Sequence, residues 1–143
     1  MPVLVNSVDV KADPAVVFDY ATDLADERGA EKGRATHIER LTPGPIGVGT
    51  RYEAHWSGSD TIEVEYKVFD RPRRWTADAT SRGLDMVQKG EVSPISGGVR
   101  LTSTLDLRPK GLLKLISPLV VLWMRRVEVQ NLAKIKRTVE GGQ

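Results

Sequence analysis

The chain has no cysteine. Disulfides, thiol nucleophiles and sulfur-ligated metals are excluded, and no cysteine pattern points to an oxidising compartment. Histidine is scarce: His37 and His55 are the two. A structural zinc site draws about four nitrogen or sulfur ligands, and neither an HxxxH nor an HExxH spacing occurs. The carboxylates form no EF-hand pattern. No metal and no cofactor is expected. Long apolar runs are also missing. The longest, residues 112–124, is broken by Lys114 and Pro118 and falls short of the ~20 residues that span a bilayer. Met1 to Val5 lack the basic start and apolar centre of a secretory leader. A cytoplasmic location without stable membrane insertion is the expectation. Finally, no sign of charge dominates: 21 basic against 19 acidic side chains leave a net of +2, which says nothing about partners.

What is present is one domain's worth of chain. Residues 1–143 fall at the usual domain size and suffice for a sizeable core. Val3 to Val10 alternates as a strand does. Asp13-Pro14 can cap and open a short helix carrying Val16, Val17, Phe18 and Tyr20. A second short helix is expected from Asp23 or Leu24 to about Ala30, then a strand over Arg34 to Leu41. Thr42 to Thr50, with three glycines and two prolines, reads as a tightly turned loop. It lacks the Lys-Ser/Thr pair and the following helix of a phosphate cradle, so no nucleotide role is assigned. From Thr50 onward the pattern is strand after strand. Tyr52, Ala54 and Trp56 alternate with charged residues, as do Ile62, Val64, Tyr66 and Val68, then Trp75, Ala77 and Ala79. Leu84, Met86, Gln88, Gly90 and Val92 share parity, and so do Val99, Leu101, Ser103, Leu105 and Leu107. Gly58 to Asp60 is a hairpin signal. With no helix between them, these strands predict an antiparallel meander with one apolar and one charged face.

The stretch from Arg108 to Val139 is the one segment long enough for a large helix, and the sheet needs a cover. Apolar residues at 112, 116, 119, 120, 123, 127, 132, 135 and 139 roughly follow one helical face. Pro118 would kink this helix or mark its true start. Residues 108–143 hold eight Lys/Arg against Glu128 and Glu140, a net of +6, and the rest of the chain carries −4. A basic helix could meet an anionic partner or a membrane surface; it could equally be the solvated outer face that any core helix has. The resulting fold class is α+β, ordered β-α-α-β(6)-α: a curved antiparallel sheet of about seven strands wrapped around a long C-terminal helix, with two short helices after the first strand.

That order resembles the START/Bet v 1-like (SRPBCC) superfamily, specifically its bacterial polyketide cyclase/dehydrase-like branch. The residues that carry the resemblance are Ala12 to Tyr20 opening the first helix, Leu41 to Thr50 before the third strand, Asp70 to Arg74 between strands, Gly97 to Thr102 entering the last strand, and Pro109 to Leu113 leading into the last helix. It covers nearly the whole chain. The family pattern usually has a tryptophan after the second short helix, where this chain has the charged, glycine-bearing run Glu27 to Arg34. The resemblance implies a helix-grip fold with a cavity between sheet and long helix, and small hydrophobic or amphipathic ligands such as lipids, sterols or polyketides. Some members are cyclases or dehydratases. The family carries no universal catalytic motif, so none is transferred.

Candidate site residues follow from strand parity. Tyr52, Tyr66, Gln88 and Ser103, with the indoles of Trp56, Trp75 and Trp123, are the polar groups expected on the inner face; Met86, Leu112 and Ile116 complete the expected ligand-binding set. An apolar site with a few polar anchors suits a small ligand, although hydroxyls and indoles can also finish a packed core. The small residues Ala54, Ala77, Ala79, Gly90 and Ser103 leave space on a curved sheet. No serine sits in a GxSxG context, so nucleophilic catalysis has no motif. A single proton shuttle would serve a cyclase, dehydratase or isomerase. His55, Glu53 and Glu65 could supply it, yet their parity is that of the charged face; a bulge near Gly58 would turn His55 inward, which makes it the one catalytic candidate. Three functions stay open: a binding protein for a hydrophobic or amphipathic molecule, an enzyme acting on such a molecule, and a lipid-surface or protein-interaction module using the basic helix. A monomer or homodimer is expected. Nucleic acid is not, because aromatic and basic residues do not share a face. Over-apolar residues 111–116 are expected to flank the cavity mouth.

Overall fold

The structure is a computed structural model and describes residues 3–23, 35–56, 61–111 and 117–141; of residues 35–37, 56, 117 and 120 it describes the backbone. The elements are β1 (Val3–Val10), α1 (Pro14–Thr22), β2 (Ala35–Arg40), β3 (Arg51–Trp56), β4 (Thr61–Asp70), β5 (Arg74–Thr80), β6 (Leu84–Ile95), β7 (Gly98–Pro109) and α2 (Ser117–Gly141). The strands form one seven-stranded sheet in the order β1-β7-β6-β5-β4-β3-β2. Every neighbouring pair is antiparallel. Among the described residues no helix intervenes between β2 and β7, so these strands form a meander, and β1 returns to the far edge beside β7. The second short helix, the Gly58 to Asp60 turn, the Glu27 to Arg34 run and residues 112–116 lie outside the described residues.

Period-two patterning decides which face of each strand is buried. On β5, Trp75, Ala77 and Ala79 are buried; on β7, Val99, Leu101, Ser103, Leu105 and Leu107 are. In β4 the alternation breaks. A register shift falls between Tyr66 and Val68 against β5. The extra residue turns Val68 outward, 43% exposed, and brings Phe69 to the core in its place, as a bulge must. The glycine-rich loop before β3 is stitched to the sheet: Gly49 N–H donates to the Tyr66 carbonyl (2.9 Å) and Tyr66 N–H to the Thr50 carbonyl (3.0 Å). Arg51 N–H donates to Thr42 Oγ1 at 3.0 Å. Gly44 and Gly49 both hold φ of 89°, where glycine is strongly favoured.

Asp13 precedes α1 with extended backbone, and its side chain makes no capping bond. Pro14 opens the helix. Arg71 grips Asp19 of α1 through Nε and Nη2, both at 2.7 Å.

The C-terminal helix starts at the second of the two places expected for it, beside Pro118, and differs from the expectation in its phase. Arg108 and Pro109 still belong to β7, and α2 begins at Ser117, so Pro118 lies in the first turn, where its missing N–H costs nothing. With 25 residues the helix is about 37 Å long at 1.5 Å per residue. Its buried stripe is Met124, Val127, Leu132, Ile135 and Val139. Leu119 and Trp123, expected on that stripe, are instead 65% and 44% exposed. Residues 119–124 are apolar all round, so they do not fix the helical phase; the later, more sharply amphipathic turns do. α2 packs over β1 and β7 and against α1. Its end is clamped to β1: Lys136 Nζ donates to the Asp9 carbonyl (2.7 Å) and to Glu140 Oε2 (2.8 Å). Lys11 N–H donates to the same Glu140 oxygen at 2.9 Å.

Candidate functional site

Among the described residues the interior forms two apolar clusters. The larger joins Val10, Phe18, Tyr66, Trp75, Val99 and Leu101 with Leu132, Ile135 and Val139 of α2. The smaller joins Leu4, Leu105, Leu107 and Met124, with Leu84, Met86 and Val121 packed against it. What separates them is a row of polar side chains crossing the sheet. Along β7, Ser103 falls between Leu101 and Leu105; along β1, Asn6 falls between Leu4 and Val8. Asn6 pairs directly with Ser103, Ser103 with Gly90, and Gly90 with Trp75. Gln88, one pleat along β6, shares their face. Glu128 of α2 meets the row from above, one turn before Leu132.

These groups form a directed relay. Trp75 Nε1–H donates to Gln88 Oε1 at 2.6 Å. Gln88 Nε2 donates to Ser103 Oγ at 3.1 Å. Ser103 in turn hydrogen-bonds the Glu128 carboxyl. An indole can only donate, so it fixes which way the Gln88 amide faces. That amide then makes Ser103 an acceptor and leaves its one proton for Glu128. Burial pushes the Glu128 carboxyl above its usual range, and the bond from Ser103 opposes this. Beside the relay, the Asn6 amide nitrogen is buried with no hydrogen-bond partner.

Packing holds the donor in place. The Trp75 ring lies edge-on to Phe18 (5.4 Å between centroids, 85°), and Phe18 edge-on to Phe69 (5.1 Å). The series continues through Tyr66 to Tyr52, at 5.3 and 6.1 Å. On its other side the indole presses on Gly90, where any Cβ would overlap ring atoms Cζ2 and Cε2. Glycine is required there by contact, not by backbone angle. Tyr66 O–H donates to the Thr22 carbonyl at 2.6 Å; burial raises its phenol well above the usual range, with Tyr52 and Asp23 adding to the effect.

The space beyond the relay is not sealed. Leu84, Met86 and Gln88 lie on the inner face of β6, a strand with neighbours on both sides, yet each remains partly exposed; Ile62 and Val64 of β4 do likewise. The reason is the placement of α2 over the β1 and β7 side of the sheet. Solvent therefore reaches the inner face above β4 and β6.

Of the expected site residues, Tyr52, Tyr66, Trp75, Met86, Gln88 and Ser103 all lie on the inner face. Trp123 is on the exposed flank of α2. Leu112 and Ile116, and the side chain of Trp56, lie outside the described residues. His55 is on the outer face, its Nε2 3.0 Å from Glu53 Oε1 and its side chain 42% exposed; through His55, β3 shows no bulge against β4 that would turn it inward. Glu53 also lines an open outer depression of about 290 Å³ with Thr61, Glu63, Thr80, Ser81 and Arg82. Among the described residues no three His, Asp or Glu side chains converge as a metal site would require. Two residues of the polar row, Asn6 beside the relay and Glu128 at its end, escaped the sequence reading. Asn6 shares the parity of Leu4 and Val8, and Glu128 stands four residues after Met124 and four before Leu132; those spacings were the available signals.

A family model described as polyketide cyclase/dehydrase and lipid transport matches residues 1–140. The chain belongs to that family. Membership accounts for the helix-grip, Bet v 1-like architecture just described. A conserved protein from Geobacillus kaustophilus superposes with a TM-score of 0.80 at 14% identity, over 99% of this chain and 97% of its own. Ara h 8.0201 does so at 0.72 and 18%, over 99% and 96%. A Thalictrum norcoclaurine synthase point mutant, in complex with a transition-state analogue, matches at 0.72 and 15%, over 99% and 95%. At such identities these neighbours show the family's fold and no more. No curated protein is significantly similar in sequence.

Proposed function

We propose that this member of the family binds a small hydrophobic or amphipathic molecule between the sheet and α2. Its apolar part would lie over the smaller cluster, against Met86, Leu105 and Met124, and its polar end would rest on the Trp75–Gln88–Ser103–Glu128 relay. The observation that carries this reading is the relay itself: a hydrogen-bonded polar row inside an otherwise apolar grip, beside inner-face residues that solvent still reaches. Burying polar groups is costly and is tolerated where they are satisfied or recognise something. The test is native mass spectrometry of the full chain purified from cells, followed by titration of the emptied protein with the neutral dye Nile red. A copurified small molecule, or one saturable dye site, is the expected result; no adduct and no dye binding would overturn it.

Glu128 also favours a second reading, catalysis by one proton shuttle on a poly-keto ligand, because burial raises its carboxyl's proton affinity. Under it, Glu128→Gln abolishes cyclisation of a poly-keto thioester while dye binding persists. Equal turnover by both proteins, or none by the wild type, would remove it. Peripheral membrane contact has one observation behind it: Leu119, Leu122 and Trp123 are exposed beside Arg125 and Arg126. Flotation with anionic vesicles at low salt tests that role, and absence of flotation removes it. No described helix is long and apolar enough to cross a membrane.

A further inference from the structure

We propose that the outer edge of β1, from Val3 to Ser7, is an interface for a second copy of this chain: the two edges pair antiparallel and join two sheets into one. This surface lies outside the grip, so the inference stands apart from the ligand reading.

β1 ends the sheet, with β7 as its neighbour. Successive residues of a strand send their backbone groups alternately to its two sides. Two contacts fix that alternation here. The Val10 carbonyl faces β7, because a Cβ on Gly98 would overlap it. The Asp9 carbonyl faces the other way and accepts from Lys136 Nζ at 2.7 Å. Val3, Val5 and Ser7 share the parity of Asp9, so their N–H and C=O groups line the outer edge. α2 occupies the far end of that edge, with Lys136 on Asp9 and Glu140 on the Lys11 N–H. Val3 to Ser7 come before this clasp. Val3 and Val5 are 54% and 64% exposed.

Edge strands are ordinarily guarded against pairing by charges, proline or a bulge. The opposite edge is guarded in this way: β2 carries Glu39 and Arg40, and its register shifts between Ala35 and His37. Val3 to Val8 has no charged residue and no proline, and its register with β7 runs unbroken. Its valines favour strand pairing. The segment is also complementary to itself. A two-fold axis at Val5 sets Val5 against Val5 and Val3 against Ser7, and each opposed pair exchanges both backbone bonds. No like charges meet, because the segment holds none. The contact is small beside a standard interface, so the dimer forms only as concentration rises.

The test is sedimentation velocity of the full chain from micromolar to submillimolar concentration. A monomer–dimer equilibrium is expected, with amide hydrogen exchange at Val3, Val5 and Ser7 slowing as the dimer forms. Val5→Pro removes an N–H that points away from β7, so it leaves the ladder to β7 intact and takes the central bonds from the two-fold. Val5→Lys keeps the N–H and sets two like charges at the axis. Each should weaken dimerisation about tenfold or more, its fold being checked by circular dichroism. A wild type that stays monomeric throughout, a dimer that persists unweakened in both variants, or protection that appears away from those amides would overturn the proposal.

Discussion

A single donor-only side chain sets the polarity of the interior. Because the Trp75 indole has an N–H and no acceptor, each group after it is forced into one role until the proton sequence reaches Glu128. Two predictions belong at this scale. The folded Glu128 carboxyl lies above its ordinary value of 4.5, chiefly through burial. Its raised proton affinity favours the folded state at low pH, and that advantage disappears as pH climbs through the raised value. Glu128→Gln cannot ionise, so its melting temperature should match the wild type near pH 4 and exceed it at pH 8. A difference that does not change with pH would contradict the burial of this carboxyl. The second concerns Gly90. Its Cβ position is occupied by the Trp75 ring, so Gly90→Ala must displace the indole and break the bond to Gln88. Overpacking of this kind costs about 1–3 kcal/mol, to be read by urea denaturation.

Among the elements, the strands and the terminal helix differ in how far their sequences reveal them. A strand shows its buried face through parity, and a β7 register of Val99, Leu101, Ser103, Leu105 and Leu107 is legible at once. Parity fails where the chain inserts a residue: nothing in the run Tyr66 to Phe69 announces the bulge that exchanges Val68 for Phe69. In α2 the difficulty is different. Apolar residues surround its first turns, and a partly buried glutamate sits beside its buried stripe. Residue type alone assigns Glu128 to solvent, while spacing from Met124 and Leu132 assigns it to the interior. The site was legible in proportion to strand content: Gln88, Ser103 and Trp75 follow from parity, and the helical partner that completes the relay does not. The phase of α2 is directly testable. Ile135→Ala should cost about 2–5 kcal/mol, as core truncations do. Leu119→Ala should fall within about 0.5 kcal/mol of the wild type. Chemical denaturation of both variants decides, and the reverse ranking would place the buried stripe on the other side of the helix.

For the whole molecule, the fold distributes its tasks between two interior clusters. The larger one, stiffened by edge-to-face aromatics from Tyr52 to Trp75 and closed by the end of α2, supplies stability. The smaller one borders the relay, and its β6 members Leu84 and Met86 stay partly exposed. The exposed apolar start of α2 offers a competing surface for an amphipathic molecule, and the two locations each have a tryptophan beside them: Trp75 in the interior and Trp123 outside. The most direct measurement is therefore a titration of nitrogen-15-labelled protein with dodecanol, following the indole N–H resonances assigned through Trp75→Phe and Trp123→Phe. Binding in the grip predicts a saturable shift of the Trp75 indole with the Trp123 indole unmoved. A shift confined to Trp123 would contradict it and place the molecule on the outside of the helix.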